Sequence, residues 1–194
     1  MKSYFFEYAL LPEGWCQGVR AVVEGGHYVT VDIGKDPRPE DHKHEVVIPA
    51  MPNAHSHVFQ RAMAGLSEYK TKENDSFWSW RELMYRLANQ ISADELYHLA
   101  KSVYQNMLDA GYSAVCEFHY VHRDLEHSSN ALKMSKAVMQ AAHDVGLPMT
   151  MLPVLYAFSA VGDVPLNPEQ KRFELSADEY MELSQQLNAF KFPE

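Results

Sequence analysis

The hydrophobic pattern of the first part of the chain is that of short β-strands. Residues 4–11 are mostly aromatic and aliphatic. Residues 19–23 and 28–33 flank a glycine pair at residues 25–26, and two apolar runs separated by such a turn predict a β-hairpin. Residues 45–49 form another short apolar run, which we expect to be a buried strand leading into the segment that follows.

A helical pattern replaces the β pattern after residue 91. Ser92 and Glu95 have the spacing of a capping box, and Gly111 can adopt the left-handed conformation that ends a helix. Between these two signals, apolar residues recur at the spacing of one buried helical face: Leu96, Leu99, Ala100, Val103, Tyr104, Met107 and Leu108. The pattern therefore predicts a long amphipathic helix.

The rest of the chain alternates between strand and helix. Residues 113–118 and 149–156 have β-type composition, whereas residues 130–145, closed by Gly146, and a segment from Ser176 are predicted to be helical. Such alternation predicts an α/β fold with parallel strands joined by right-handed crossovers.

A doubly wound sheet and a (β/α)₈ barrel both begin with this order of elements. A complete barrel needs roughly 250 residues, so a barrel in this chain is expected to be incomplete. We therefore predict two domains: residues 1–48, which supply the strands of a small β domain, and residues 49–194, which supply the first βα units.

Charge and cysteine content narrow the choice of partners and compartment. The 194-residue chain has a formal net charge of −9, and an acidic surface repels nucleic acid and anionic membranes, so neither is an expected partner. Cys16 and Cys116 form no CxxC pair, which fits a reducing cytoplasm. No apolar run approaches the ~20 residues of a membrane helix, and the first residues lack the apolar core of a signal peptide.

Two histidines follow the strand predicted at residues 45–49. Residues i and i+2 of a strand point to the same side, so His55 and His57 can reach one metal ion from the C-terminal end of that strand. Imidazole nitrogen suits zinc, and iron or manganese also accept it. A His-x-His pair alone is weak evidence, but its place at the start of a βα series strengthens the hypothesis of a metal site.

Further candidates lie in two later segments. Arg81 is surrounded by Phe77, Trp78 and Trp80, and its guanidinium could bind a carboxylate in a bidentate manner or lie exposed on a helix. Tyr120, between His119 and His122, follows the second predicted βα strand and could donate a hydrogen bond into a site. The two flanking histidines are read either as groups behind the metal site or as ordinary loop residues. The remaining histidines are interpreted as surface residues: His27, His42, His44, His98, His127 and His143.

Taken together, these segments resemble one enzyme family. Residues 51–65 are similar to the metal-binding opening of the formimidoylglutamate deiminases, which belong to the amidohydrolase superfamily. Residues 75–86 and 114–122 resemble the next two blocks of that family, and residues 152–156 resemble its third barrel strand. The resemblance implies a metal-containing (β/α)₈ barrel together with a small β-sandwich formed by both ends of the chain.

The resemblance also implies a reaction and the residues that serve it. N-formimino-L-glutamate and water would give N-formyl-L-glutamate and ammonia, a step of histidine degradation. His55 and His57 would be two ligands of one zinc ion, and Gln60, Arg81 and Tyr120 would contact the substrate. Arg81 would then supply the local positive charge that an anionic substrate needs. The family often forms dimers, so a homodimer is implied as well.

The family pattern extends beyond this chain. A further histidine ligand, an aspartate ligand and the acid–base histidine are expected after residue 194, so no catalytic acid–base residue is assigned here. Catalytic zinc usually has three protein ligands, and we therefore expect activity only in the full-length protein. Two alternatives stay open: another amidohydrolase, such as a guanine or cytosine deaminase, and a truncated chain without catalytic activity.

Overall fold

The computed structural model describes residues 1–67, 77–125 and 130–192. Contacts within the chain divide it into two compact units, Met1–Ala50 and Met51–Glu194. The boundary lies two residues after the position predicted from the sequence.

The first unit is a four-stranded sheet. Its strands are β1 (Lys2–Leu11), β2 (Gly14–Glu24), β3 (His27–Asp32) and β4 (His42–Val47), in the order β3-β2-β1-β4. Strand β2 is antiparallel to both β1 and β3, and the positive φ angles of the glycines at residues 25–26 make the turn of the predicted hairpin. Phe6, Ala9, Val19 and Ala21 form its small buried core.

One strand prediction is wrong in its location. Residues 45–49 were expected to open the βα series, but β4 pairs in parallel with β1 and belongs to the first sheet. Pro49 follows β4, and proline has no N–H with which to continue a ladder of hydrogen bonds. A separate strand, β5 (Met51–Ser56), begins the second sheet.

The second unit confirms the predicted alternation of strand and helix. Strands β5, β6 (Tyr112–His119) and β7 (Met149–Pro153) form a sheet in the order β5-β6-β7, and both strand pairs are parallel. The helices are α1 (Phe77–Ala88), α2 (Ala93–Asp109), α3 (Ala131–Val145) and α4 (Ala177–Ala189), and short 3₁₀ helices span Val58–Met63 and Pro168–Phe173. None of the helices in the described part of the chain has the length and apolarity needed to cross a membrane.

Local signals set the helix ends as predicted. Ser92 and Ser176 each form a complete capping box with the glutamate three residues later. Gly146 caps the C-terminal end of α3 in the left-handed conformation. Gly111, with a φ of 87°, comes directly after Ala110, the C-cap residue of α2.

The core of the second unit lies between the sheet and the helices. The buried side chains of α2 and α3 include Leu96, Ala100, Tyr104, Met134, Val138 and Ala141. Because alternate residues of a strand face opposite sides, Val115, Glu117 and His119 of β6 are buried, whereas Phe118 is exposed.

Candidate metal centre

His55 and His57 lie together at the C-terminal end of β5. Their ring centroids are 4.7 Å apart with nearly perpendicular planes. His55 is exposed and His57 is half-buried, while Ser56 between them is buried. The alternation of the strand therefore places both imidazoles away from the side that Ser56 occupies.

A main-chain carbonyl fixes the orientation of the His57 ring. Nδ1 of His57 lies 2.9 Å from the carbonyl oxygen of Phe118, which can only accept, so Nδ1 carries the proton and Nε2 keeps a free lone pair. Burial lowers the pKa of His57, and the neighbouring His55 acts in the same direction against the opposing effect of the Phe118 hydrogen bond. A neutral ring held by its second nitrogen is the form in which histidine binds a metal.

A buried carboxylate bonds to the residues on either side of His57. Glu117, which is 1% exposed, accepts a 2.7 Å hydrogen bond from the Val58 backbone N–H and a 3.1 Å hydrogen bond from the Tyr104 hydroxyl. Burial raises the pKa of Glu117, although hydrogen bonds from Ser56, Val58 and Tyr104 oppose that rise. Glu117 thus bonds to both sequence neighbours of His57.

These residues fit part of a metal site. Two adjacent imidazoles, one with its lone pair set free by a backbone hydrogen bond, match the donor preference of zinc. Within residues 1–67, 77–125 and 130–192, no group of three or more histidine, cysteine, aspartate or glutamate side chains could hold a metal ion. A cation held by His55 and His57 therefore needs ligands in addition to those described.

Gln60 and Tyr120 meet beside the histidine pair. The Gln60 side-chain amide donates a 2.7 Å hydrogen bond to the Tyr120 hydroxyl. The Tyr120 ring makes an edge contact with His57, with centroids 5.3 Å apart. Burial raises the pKa of Tyr120 to about 12, so the hydroxyl keeps its proton at neutral pH. Two of the sequence-predicted substrate contacts are therefore next to the proposed metal ligand.

Arg81 lies on α1 and is held between aromatic rings. Its guanidinium carbon lies 5.6 Å from the centre of the Trp78 ring and 5.2 Å from that of Tyr85. Its Nε donates to the Tyr85 hydroxyl, and in the described part of the chain it forms no salt bridge. The side chain is half-buried, which differs from the alternative of an exposed helix arginine. Residues 75–76, at the start of the segment predicted around Arg81, lie outside the described ranges.

A buried phenylalanine connects the surroundings of Arg81 with those of His57. Phe173, in the 3₁₀ helix after β7, is 0% exposed, and its ring centroid lies 5.7 Å from Tyr85, 5.3 Å from Tyr120 and 5.5 Å from Tyr156. Gln170 of the same 3₁₀ helix donates to the hydroxyls of Tyr85 and Tyr156. Sequence reasoning missed Phe173, Gln170 and Tyr156 as site residues. Only Tyr156 carried a signal, since it is the last residue of the third predicted βα strand, at residues 149–156.

His119, the last residue of β6, and His122, three residues after it, are both buried. Their ring centroids are 5.5 Å apart, and His122 Nε2 donates to the Val154 carbonyl at 2.9 Å. His119 Nε2 and His122 Nδ1 have no hydrogen-bond partner among the described residues. Since Phe118 occupies the opposite face of β6, the pair is behind the sheet and not beside His55. Of the histidines predicted to be on the surface, those in the described ranges are exposed, and His127 lies outside them.

Two known proteins resemble this chain over 97% of its length. The chain is 44% identical, over 97% of its length, to the formimidoylglutamate deiminase of Pseudomonas aeruginosa, and it spans 42% of the length of that protein. A crystal structure of an amidohydrolase from Brucella melitensis superposes with a TM-score of 0.92 at 36% identity, covering 97% of this chain and 42% of that one.

More distant structures share only the fold. The atrazine chlorohydrolase of Arthrobacter aurescens, crystallised with zinc, superposes with a TM-score of 0.69 at 14% identity, covering 100% of this chain and 44% of that one. The sequence profile of the amidohydrolase family matches residues 46–192, which includes β5, β6, β7 and all four helices. The chain is therefore the N-terminal β unit and the first strands of a partial (β/α)₈ barrel, and it belongs to the amidohydrolase family.

Proposed function

We propose that the full-length protein containing this chain hydrolyses N-formimino-L-glutamate to N-formyl-L-glutamate and ammonia, as a step of histidine degradation. The observation that carries the proposal is the histidine pair after β5, with Nδ1 of His57 bound to Phe118 and Nε2 free. The 44% identity to a formimidoylglutamate deiminase supports this choice of substrate. The reaction breaks a C–N bond, as expected of a hydrolase in this family.

His55 and His57 are the metal ligands that this chain contributes under the proposal. The zinc in a structural neighbour and the imidazole donors support a divalent cation, with zinc first and iron or manganese as alternatives. When bound, such a cation supplies the Lewis acidity that makes water nucleophilic near neutral pH. We propose that another histidine and an aspartate complete the site, and that the acid–base histidine also lies in the part of the protein after residue 194.

The substrate-binding part of the site is assigned to Gln60, Arg81 and Tyr120. Arg81 binds a glutamate carboxylate, because its guanidinium is held between two rings without a carboxylate partner among the described residues. The Gln60–Tyr120 hydrogen bond orients both polar groups beside His57, where the formimino group is expected to lie. This arrangement supplies positive charge locally in a chain whose net charge is −9.

An assay of ammonia release tests the proposal. The full-length protein, loaded with zinc, is supplied with N-formimino-L-glutamate, guanine or cytosine in parallel. We expect turnover of the first compound and none of the two bases, which have no carboxylate for Arg81. Turnover of a base alone would overturn the assignment in favour of a nucleobase deaminase. Tight stoichiometric zinc and deiminase turnover in the isolated 194-residue chain would contradict the need for residues beyond it.

A further inference from the structure

We propose that the Tyr156 hydroxyl is an additional substrate-binding group, which donates a hydrogen bond to the same carboxylate that Arg81 binds. The inference rests on the proposed function for the identity of that carboxylate. It comes from the hydrogen bonds among Arg81, Tyr85, Tyr156 and Gln170, which leave the Tyr156 proton without an acceptor in the cluster.

The hydrogen bond to Asn167 fixes the orientation of the Gln170 side chain. Gln170 is 0% exposed, and its Oε1 accepts a 2.8 Å hydrogen bond from the backbone N–H of Asn167. Because that N–H can only donate, the oxygen of the amide must face it. The amide nitrogen therefore faces the two tyrosines and donates to the hydroxyl of Tyr85 at 3.0 Å and to that of Tyr156 at 3.1 Å.

The other partners of Tyr85 set the direction of the bond between the Tyr85 and Tyr156 hydroxyls. A tyrosine hydroxyl has two acceptor positions and one proton. Tyr85 accepts from Gln170 and from Nε of Arg81, so both of its acceptor positions are filled. In the 3.4 Å contact with Tyr156, Tyr85 must therefore be the donor. Burial raises the pKa of Tyr85, which keeps that proton in place at neutral pH.

The proton of the Tyr156 hydroxyl remains for a ligand. Tyr156 accepts from Gln170, and its other neighbours in the cluster, Arg81 and Tyr85, also face it as donors, so its own proton has no acceptor there. Tyr156, like Arg81, is half-buried, whereas Tyr85 and Gln170 are buried, so of the two hydroxyls that of Tyr156 belongs to the more accessible side chain. Tyr156 follows β7, at the same end of the sheet as His57 and Tyr120. A group that only donates, beside an arginine, matches a carboxylate and rejects a second donor such as an amide nitrogen.

The test measures ligand binding, so it does not depend on turnover. Calorimetric titration of the zinc-loaded full-length protein compares N-formyl-L-glutamate with its two single carboxamides, in the wild type and in Tyr156→Phe. The wild type is expected to bind one of the carboxamides at least about tenfold more weakly than the dicarboxylate, since a hydrogen bond to a charged group is lost or reversed. Tyr156→Phe is expected to bind the dicarboxylate about tenfold more weakly and to show a smaller preference than the wild type, the remainder of the preference coming from Arg81.

The matched control is Tyr97→Phe. The Tyr97 hydroxyl bonds to Asp144 and Lys101 between α2 and α3, away from the cluster, so this variant should keep the wild-type preference. The binding stoichiometry gives the folded fraction of each variant, and the ratio of two dissociation constants is independent of that fraction.

Each outcome separates the inference from the proposed function. An equal loss of affinity for the dicarboxylate and both carboxamides in Tyr156→Phe would assign Tyr156 a structural role and overturn the inference. Absence of any preference for the dicarboxylate in the wild type would overturn it too. A preference that depends on Tyr156, in a protein that does not release ammonia from N-formimino-L-glutamate, would uphold the inference and refute the proposed function.

Discussion

The Nδ1 atom of His57 and the carbonyl oxygen of Phe118 lie 2.9 Å apart, which joins the histidine pair after β5 to the backbone of β6. The bond leaves only Nε2 of His57 able to bind a cation. Because it is made by a main-chain group, it depends on the pairing of the two strands and not on the identity of residue 118. The orientation of the ring is therefore a property of the sheet.

His57→Asn tests this arrangement. Asparagine can still donate to the Phe118 carbonyl, but it has no counterpart of Nε2. We expect zinc affinity of the full-length protein to fall by at least about 10–100-fold, the amount that loss of an outer partner of a ligand already costs. Competition with a chromophoric chelator measures the affinity. His98→Asn is the matched control, since the His98 side chain is 69% exposed on α2. Unchanged zinc binding by His57→Asn would exclude His57 as a ligand.

Glu117 gives a second prediction, because it accepts hydrogen bonds from a backbone N–H and a hydroxyl in the buried interior. Glu117→Leu leaves the Val58 N–H and the Tyr104 hydroxyl buried without this partner, and each such group costs about 1–3 kcal/mol. We expect the free energy of unfolding to fall by at least about 2 kcal/mol, with weaker zinc binding because the turn after His57 loosens. Denaturant titration measures the first effect and chelator competition the second.

Glu117→Gln is the matched variant for this experiment. Its amide oxygen can still accept from Val58, so it should lose much less stability than Glu117→Leu. Equal stability of the two variants would show that the hydrogen bonds to residue 117 contribute nothing measurable to the fold.

Helices α2, α3 and α4 could be predicted because their signals are local, whereas α1 was not among the helices predicted from the sequence. The capping boxes at Ser92 and Ser176 need only residues three positions apart, and the structure confirms both. Residues 45–49 were assigned to the wrong sheet for the opposite reason. A short apolar strand can either pair with β1 or begin the second sheet. Contacts between distant parts of the chain, such as the pairing of Tyr4 with His42, decide which of the two occurs, and no local pattern encodes those contacts.

The same distinction applies to the candidate site. His55 and His57 are two residues apart, so strand geometry alone predicts that their rings can converge. The cluster around Phe173 joins residues of α1, the loop after β6 and the loop after β7. Gln170 and Phe173 lie in a 3₁₀ helix without a hydrophobic period, so their burial follows only from tertiary packing.

The two capping boxes provide a paired stability prediction. Replacing Ser92 by alanine removes the acceptor of the Glu95 N–H, and Ser176→Ala does the same for Glu179. Each change is expected to cost about 1 kcal/mol at its helix. Helix α2 contributes Leu96, Ala100 and Tyr104 to the core, whereas the buried residue of α4 in the described structure is Leu183. We therefore expect Ser92→Ala to lower the global free energy of unfolding by more than Ser176→Ala does. Hydrogen exchange should show faster opening confined to α4 in the latter, and a larger global loss from Ser176→Ala would contradict the prediction.

Acid should lower the free energy of unfolding of the second unit through two buried histidines, His119 and His122. Burial, with a smaller effect of His122, lowers the pKa of His119 to about 3, and burial lowers the pKa of His122 to about 4 despite the hydrogen bond to Val154. An unfolded histidine titrates near pH 6.5. Above that pH both histidines are neutral in the folded and the unfolded state, and the free energy of unfolding has its full value. Below it the unfolded chain binds protons that the folded chain does not bind. The free energy of unfolding therefore falls with pH until the pKa of the folded state is reached. Each histidine therefore costs up to about 1.4 kcal/mol per pH unit between roughly pH 6 and pH 4.

The free energy of unfolding of the full-length protein between pH 7 and pH 5, in excess chelator, checks this effect before most carboxylates titrate. His122→Gln can keep the donor to the Val154 carbonyl but cannot bind a proton, so its stability should fall less steeply with acid than that of the wild type. The expected difference is about 1–2 kcal/mol over the interval. His98→Gln removes an exposed histidine on α2 and should leave the wild-type slope unchanged. The same slope in His122→Gln and the wild type would mean that His122 accepts its proton in the folded state as readily as in the unfolded one.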